Sequence, residues 1–302
     1  MSSDVAFQTP ARLRPTRPSR GAPSLRGTAI IATTARYLFL TVLSLVFMFP
    51  FWWLVTSSLK GPSEIRQTPP TFLPESPRWQ NYVEVFTYQP FARHLFNSIY
   101  LGVVVTIGVL AISAISGYAF ARLRFRGRSV IFVVLLVALM MPTEVTIVPL
   151  FSLMRSLGLV NTHVPLILIP IFGPQTILGA FLMRQFFLQL PRETEEAGMV
   201  DGLGHLGVFL RLALPLARPA LGALAIVTFL YSWNLLLEPL VFIDDPDLYT
   251  VPLGLNSYTD SYGVPIWHLQ LAATSISIVP MVVAFLVARR QLIVSFAFTA
   301  GK

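Results

Sequence analysis

The sequence predicts an all-α polytopic membrane protein with six transmembrane helices. Three observations carry this. The composition is 54% hydrophobic and only 12% charged, with a mean hydropathy of +0.68, whereas a soluble domain carries about 25% charged residues. Six apolar runs are each long enough to cross about 30 Å of hydrocarbon. Between the last two pairs of runs lies one long polar interruption, EEAGMVDGLGHLGVFLRLALPLARP, from Glu195 to Pro219.

Residues 1–36 carry six Arg, four Pro and one Asp without apolar periodicity, which predicts a disordered basic tail. Its RLRPTRPSR run, and the formal charge of +8, raise nucleic acid as a partner. The charges cluster in loops on one side of the spans, so they read as topology signals that face membrane lipid, and no nucleic acid is expected.

The spans fall at about 37–56, 98–118, 130–149, 165–183, 219–237 and 269–288, within one domain over 37–302. No cleavage site follows the first, so it reads as an anchor. Pro50, Pro170, Pro174 and Pro280 lie inside apolar runs, where a bundle tolerates them as kinks. Ser113, Ser116 and Gly117 on the second span read as packing residues.

Charge sets the orientation. One side holds the six tail Arg, then Arg122, Arg124, Arg126 and Arg128, then Arg184, Arg192, Arg211 and Arg218, then Arg289, Arg290 and Lys302. The other side holds Lys60, Arg66, Arg78, Arg93 and Arg155. The positive-inside rule therefore predicts that both termini and the loop at 190–218 are cytoplasmic. Of the outer loops, 60–97 is rich in Pro and aromatic residues. The last, 238–268, contains Asp244, Asp245, Asp247 and Asp260, but not the spacing of a calcium loop. It reads as a solvated turn or a docking surface for an extracytoplasmic protein.

The polar loop predicts a helix over 191–201, with Pro191 at its first position and Glu193, Glu195 and Glu196 near its positive end. Gly202 stops or bends it. A second helix is expected over 203–214, with Pro215 kinking or restarting it. This helix–Gly–helix shape suits docking into another protein.

Glu196, Ala197 and Gly198, Gly202 after three further residues, and Leu212-Ala213-Leu214-Pro215 after nine more resemble the EAA loop of importer-type ABC permeases. Gly198 stands where that pattern has a second Ala, and Leu212 where it has Ile. The stretches 95–128, from Ala138 through PTEVTIVPLFSLMRSLGLVNTHVPLIL, from Phe181, and SWNLLLEPLVF from Ser232 resemble the carbohydrate branch of the same family. The resemblance runs from about Tyr37 to the C-terminus.

It implies a bacterial inner-membrane permease that forms the path for a sugar or sugar-like solute. The implied partners are a second permease subunit, usually a different chain, an ATPase dimer, and an extracytoplasmic solute-binding protein. Glu196, Ala197, Gly198, Asp201, Gly202, Leu214 and Pro215 are then expected to dock the ATPase. Tyr231, Trp233 and Asn234, with Ser232, are candidates for the substrate path through aromatic stacking and neutral hydrogen bonds.

Chemistry on the chain itself is expected to be absent. Neither Lys60 nor Lys302 lies in a G-x-x-x-x-G-K-[ST] run, so ATP and Mg belong to the partner and the chain carries no cofactor. Cysteine is absent, neither H-E-x-x-H nor G-x-S-x-G occurs, and no catalytic or metal-binding residue is expected. The alternative reading is an ion-gradient-driven secondary transporter, which places ionisable groups near mid-membrane. Here Glu144 and Glu238 are the carboxylates nearest the spans, both at outer ends, and no inverted repeat is visible.

Overall fold

The computed structural model describes the backbone of residues 25–300 and the side chains of residues 33–286. Helices account for its regular structure, in the order α1 (Leu25–Ser58), α2 (Gln80–Tyr88), α3 (Phe91–Arg122), α4 (Arg128–Leu139), α5 (Thr143–Ser156), α6 (Val164–Phe172), α7 (Pro174–Gln189), α8 (Arg192–Val200), α9 (His205–Val208), α10 (Leu214–Leu216), α11 (Arg218–Trp233), α12 (Leu237–Phe242), α13 (Val251–Asn256) and α14 (Trp267–Ala300). Among the described residues the one extended pairing is an isolated bridge between Thr259 and Pro265.

The chain divides into two units, one up to Trp52 and one from Trp53. In the first, α1 begins at Leu25, so residues 25–36 are helical rather than part of a tail. Their Ala and Ile residues extend the following helix, which costs far less than nucleating a new one. The basic run before Leu25 lies outside the described residues.

Among the described residues four helices are long and apolar enough to cross a membrane: Thr33–Ser58, Phe91–Arg122, Val164–Gln189 and Trp267–Leu286. Two bent pairs make six if each counts as one span. The expected third span straddles the break between α4 and α5, which diverge by 98°. Pro142 is the cause: it disfavours the helical region for Met141, and it is extended itself, at φ −62° and ψ 137°. The expected fifth span is α11, preceded at Ala217 by a 73° bend. Pro170 and Pro280 lie inside helices, while Pro174 opens α7.

The second unit is organised on α3. It crosses α7 at small residues: a Cβ on Gly117 would come within 2.6 Å of the Met183 Cβ and 2.9 Å of the Arg184 backbone nitrogen. A Cβ on Gly179 would come within 2.2 Å of Ser113 Oγ, which itself donates to the Thr176 carbonyl at 3.2 Å. In lipid there is no hydrophobic drive between helices, so this close approach and the interhelical hydrogen bond hold the pair. Around the crossing, Tyr118, Met183, Phe187, Phe209 and Leu224 form one buried cluster.

At the opposite end of α3, polar side chains hold the last loop. Asn97 Nδ2 donates to the carbonyls of Asp247 and Tyr249 at 2.9 and 3.0 Å, and Ser98 Oγ accepts from Val251 N at 2.7 Å. Asn161, at φ +58°, accepts through Oδ1 from the amides of Asp244 and Asp245. Three of the loop's aspartates are tied into the turn or to α3. Asp245 accepts from Asp247 N, Asp260 accepts from Tyr262 N and Val264 N, and Asp247 pairs with Arg93.

Candidate functional site

The loop after α7 folds into two short helical arms. α8 starts at Arg192, one residue later than expected, because Pro191 remains extended at ψ 131°. Glu193 and Glu195 lie in its first turn, beside the exposed N–H groups. The arm ends in a Schellman motif: Gly202 N–H donates to Met199 O at 3.1 Å and Leu203 N–H to Gly198 O at 3.0 Å. Gly202 sits at φ +86°, a conformation open to glycine at no steric cost.

The second arm is α9, a five-residue π turn over Phe209–Ala213, and α10. Sequence reasoning has Pro215 kink or restart the helix; α10 opens with Pro215 in its first turn, and the 73° bend falls later, at Ala217. Proline lacks an N–H and its ring crowds the carbonyl four residues back. The wider π turn just before it accommodates both, and the change of direction is deferred to the start of α11. Val208, Phe209 and Ala213 are buried, so this arm is anchored to the Tyr118–Phe187 cluster.

The two arms pack through Gly198. A Cβ there would lie 2.5 Å from Leu212 Cδ1, so glycine lets the arms approach. Gly198 and Glu195, three residues apart, share the buried face of α8. Glu195 accepts from Arg122 Nε at 2.7 Å, and Arg122 Nη2 donates to the Leu190 carbonyl at 2.7 Å. The two side chains retain 7% and 11% exposure. Tyr118 OH reaches Glu195 Oε2 at 3.5 Å. The last turn of α3 thus grips both the first turn of α8 and the segment before it.

The opposite face points outward. Glu196, Ala197, Asp201 and Gly202 are exposed, while Leu214 and Pro215 are half-buried. Val200 and Leu206 flank the turn at 87% and 70% exposure. The arms therefore end in an uncovered apolar tip with Glu196 and Asp201 beside it. A cavity of about 350 Å³ adjoins α8, lined by Arg122, Arg124, Arg128, Arg192 and Glu196 among others.

Sequence reasoning chose Glu196 and missed the Arg122–Glu195 pair. The available signal was the helical spacing of Glu195 and Gly198, which ties the carboxylate to the face that glycine marks as closely packed.

The residues proposed for the substrate path separate. Trp233 is buried, stacked on Phe229 at 5.8 Å and 27°, in a core with Val85, Phe91, Tyr258 and Leu269. Tyr231 is half-buried and Asn234 exposed. Asn234 Nδ2 donates to Leu230 O at 2.8 Å at the end of α11. These two line another cavity, of about 490 Å³, together with Thr143, Glu144 and Glu238. Burial pushes the Glu238 carboxyl up from its ordinary range; a hydrogen bond from its own backbone N–H opposes this, and the Glu144 charge adds to it. Among the described residues no cluster of three or more His, Cys, Asp or Glu could hold a metal ion.

The family profile of the binding-protein-dependent transport system inner membrane component matches residues 109–292. The chain belongs to this family. It is the membrane permease subunit of an ATP-binding-cassette importer, and such subunits are not themselves catalytic. It is 34% identical over 252 residues to the arabinooligosaccharides transport system permease protein AraQ of Bacillus subtilis, covering 82% of this chain and 88% of that one. It is 31% identical to the sulfoquinovosyl glycerol transport system permease protein SmoH of Agrobacterium fabrum, covering 88% and 92%. It is 32% identical to the sn-glycerol-3-phosphate transport system permease protein UgpE of Yersinia pestis, covering 82% and 89%.

The permease also shares its fold with a solved bacterial ABC transporter involved in import of the acidic polysaccharide alginate. The TM-score is 0.71 at 20% identity, over 91% of this chain and all of that one. A second solved structure, of an alginate ABC transporter in complex with its pentasaccharide-bound periplasmic protein, matches at a TM-score of 0.62 and 13% identity.

Proposed function

We propose that this permease imports a sugar or sugar-like solute, and that the two arms around Gly202 couple its membrane helices to an ATPase. The observation that carries the reading is the division of α8 into two faces. Glu195 and Gly198 fix it to the permease, while Glu196, Ala197 and the Val200–Leu206 tip stay uncovered. Apolar groups held out beyond a membrane domain, next to carboxylates, mark a protein-docking surface. Glu196 offers a carboxylate to a basic cleft, Ala197 lets the helix sit deep, and Gly202 sets the angle to the arm that leads through Leu214 and Pro215 into α11.

On this reading the permease lies in the bacterial inner membrane with both termini and the arms cytoplasmic. It pairs with a second permease subunit, above an ATPase dimer that holds the ATP and Mg. An extracytoplasmic binding protein delivers the solute to the face formed by the last loop. The sugar class follows from the relatives, whose names give glycosides or a glycerol ester. Uptake by cells carrying the complete importer tests this. It should persist when the proton gradient is collapsed with ATP maintained and stop when ATP is depleted; the converse would favour an ion-driven carrier.

A further inference from the structure

Glu238 is only 4% exposed, and its carboxyl accepts a hydrogen bond from its own backbone N–H. It opens α12 and faces the cavity shared with Thr143 and Glu144 at the start of α5 and with Tyr231 and Asn234 at the end of α11. Glu144, exposed, is the second carboxylate there. One backbone donor leaves most of a carboxylate's acceptor sites unused, and a buried carboxyl is costly unless further partners bind it. At about 490 Å³ the cavity has the size of a small-ligand site. Its walls combine the apolar Val227 and Leu230 with a phenol, an amide, a hydroxyl and two carboxyls.

We propose that this cavity contacts the solute in transit, and that Glu238, with Glu144, restricts it to hydroxyl-bearing solutes without negative charge. The proposal rests on the importer reading above and narrows its substrate class. Carboxyls accept charge-assisted hydrogen bonds from hydroxyls, and the Tyr231 ring offers a face to a sugar ring. A phosphate, sulfonate or uronate would meet two carboxylates with no cation in the lining, and like charges repel. The named relatives span both kinds of solute: arabino-oligosaccharides are uncharged, whereas sn-glycerol 3-phosphate is an anion. The cavity sides with the first.

The test is equilibrium binding to the purified importer complex, permease pair with ATPase, in the absence of the binding protein. The probes are a panel of neutral pentose and hexose oligosaccharides, including arabinotriose, and sn-glycerol 3-phosphate. At least one neutral probe should bind saturably, and the phosphate ester should not. Glu238→Leu should weaken the neutral probe about tenfold, while Glu238→Gln, which keeps the hydrogen bonds, should stay within about threefold. The double variant Glu144→Gln/Glu238→Gln should gain binding of the phosphate ester.

Co-purification of the ATPase in unchanged yield confirms that each variant is folded. Absence of neutral binding, equal binding of both probes to the wild-type complex, or no change with Glu238→Leu overturns the proposal. ATP-dependent uptake by the wild-type importer, measured separately in cells, tests the reading beneath it.

Discussion

Arg122, in the last turn of α3, donates through Nε to the Glu195 carboxylate at 2.7 Å, and both side chains are about nine-tenths buried. A membrane helix is thereby joined to α8 by a charged contact shielded from water. Removing one member leaves the other buried and uncompensated, at a cost of roughly 3–5 kcal/mol, whereas replacing both with apolar residues of similar volume is often neutral. Arg122→Met or Glu195→Leu alone should therefore lower the thermal unfolding midpoint of the purified permease more than the double variant does. An additive double variant would show that the pair does not act as a unit.

Gly198 should tolerate alanine and reject larger residues. The atom nearest to an added Cβ is the tip of Leu212, at 2.5 Å, a flexible side chain that can rotate away. Alanine also improves helix propensity by up to about 1 kcal/mol. Gly198→Ala should leave uptake close to wild type, while Gly198→Ile should splay the two arms and lower it severalfold. Limited proteolysis of the loop would detect the splaying.

Gly202, at φ +86°, has open space where a side chain would go, so its constraint is backbone conformation rather than crowding. Alanine there should cost about 1–2 kcal/mol of left-handed strain. Asn should be milder, and proline, with φ fixed near −65°, should be the worst. Uptake rates of the three variants at equal membrane abundance should follow the order Asn, Ala, Pro.

Gly117 makes the opposite case. The nearest atoms to an added Cβ are the Met183 Cβ and the Arg184 backbone nitrogen, which cannot rotate away. Gly117→Ala should push α3 from α7, and Gly117→Val should abolish a monodisperse permease peak in detergent size-exclusion chromatography. A normal peak for Gly117→Val would contradict the packing described.

Hydropathy made most of the architecture legible, because a lipid-spanning helix must be apolar over its whole length. What it could not carry was direction. The run through Leu139-Met140-Met141-Pro142 is apolar on both sides of a 98° break, and a sliding window averages across the turn. The loop was readable through its glycines, since Gly202 and Gly198 answer to local backbone geometry and close approach. Glu195 was harder: its spacing to Gly198 marks it as inward-facing, but its partner lies 73 residues earlier in sequence, and no local pattern names that partner. The burial of Trp233 against Phe229 follows from four-residue helical spacing, yet only tertiary packing decides which face of α11 meets the core and which meets the cavity holding Tyr231 and Glu238.

The most direct test of the account is co-purification of the ATPase with Glu196→Lys, measured together with substrate uptake. Glu196 is exposed on the outward face of α8 and outside the Arg122 contact, so the variant should fold and insert normally. Reversing its charge against a basic cleft should weaken docking by roughly 1.5–3 kcal/mol. The expected result is about a tenfold or greater loss of bound ATPase, with a matching loss of uptake. Wild-type assembly and wild-type uptake in this variant would contradict the claim that this face of α8 carries the coupling.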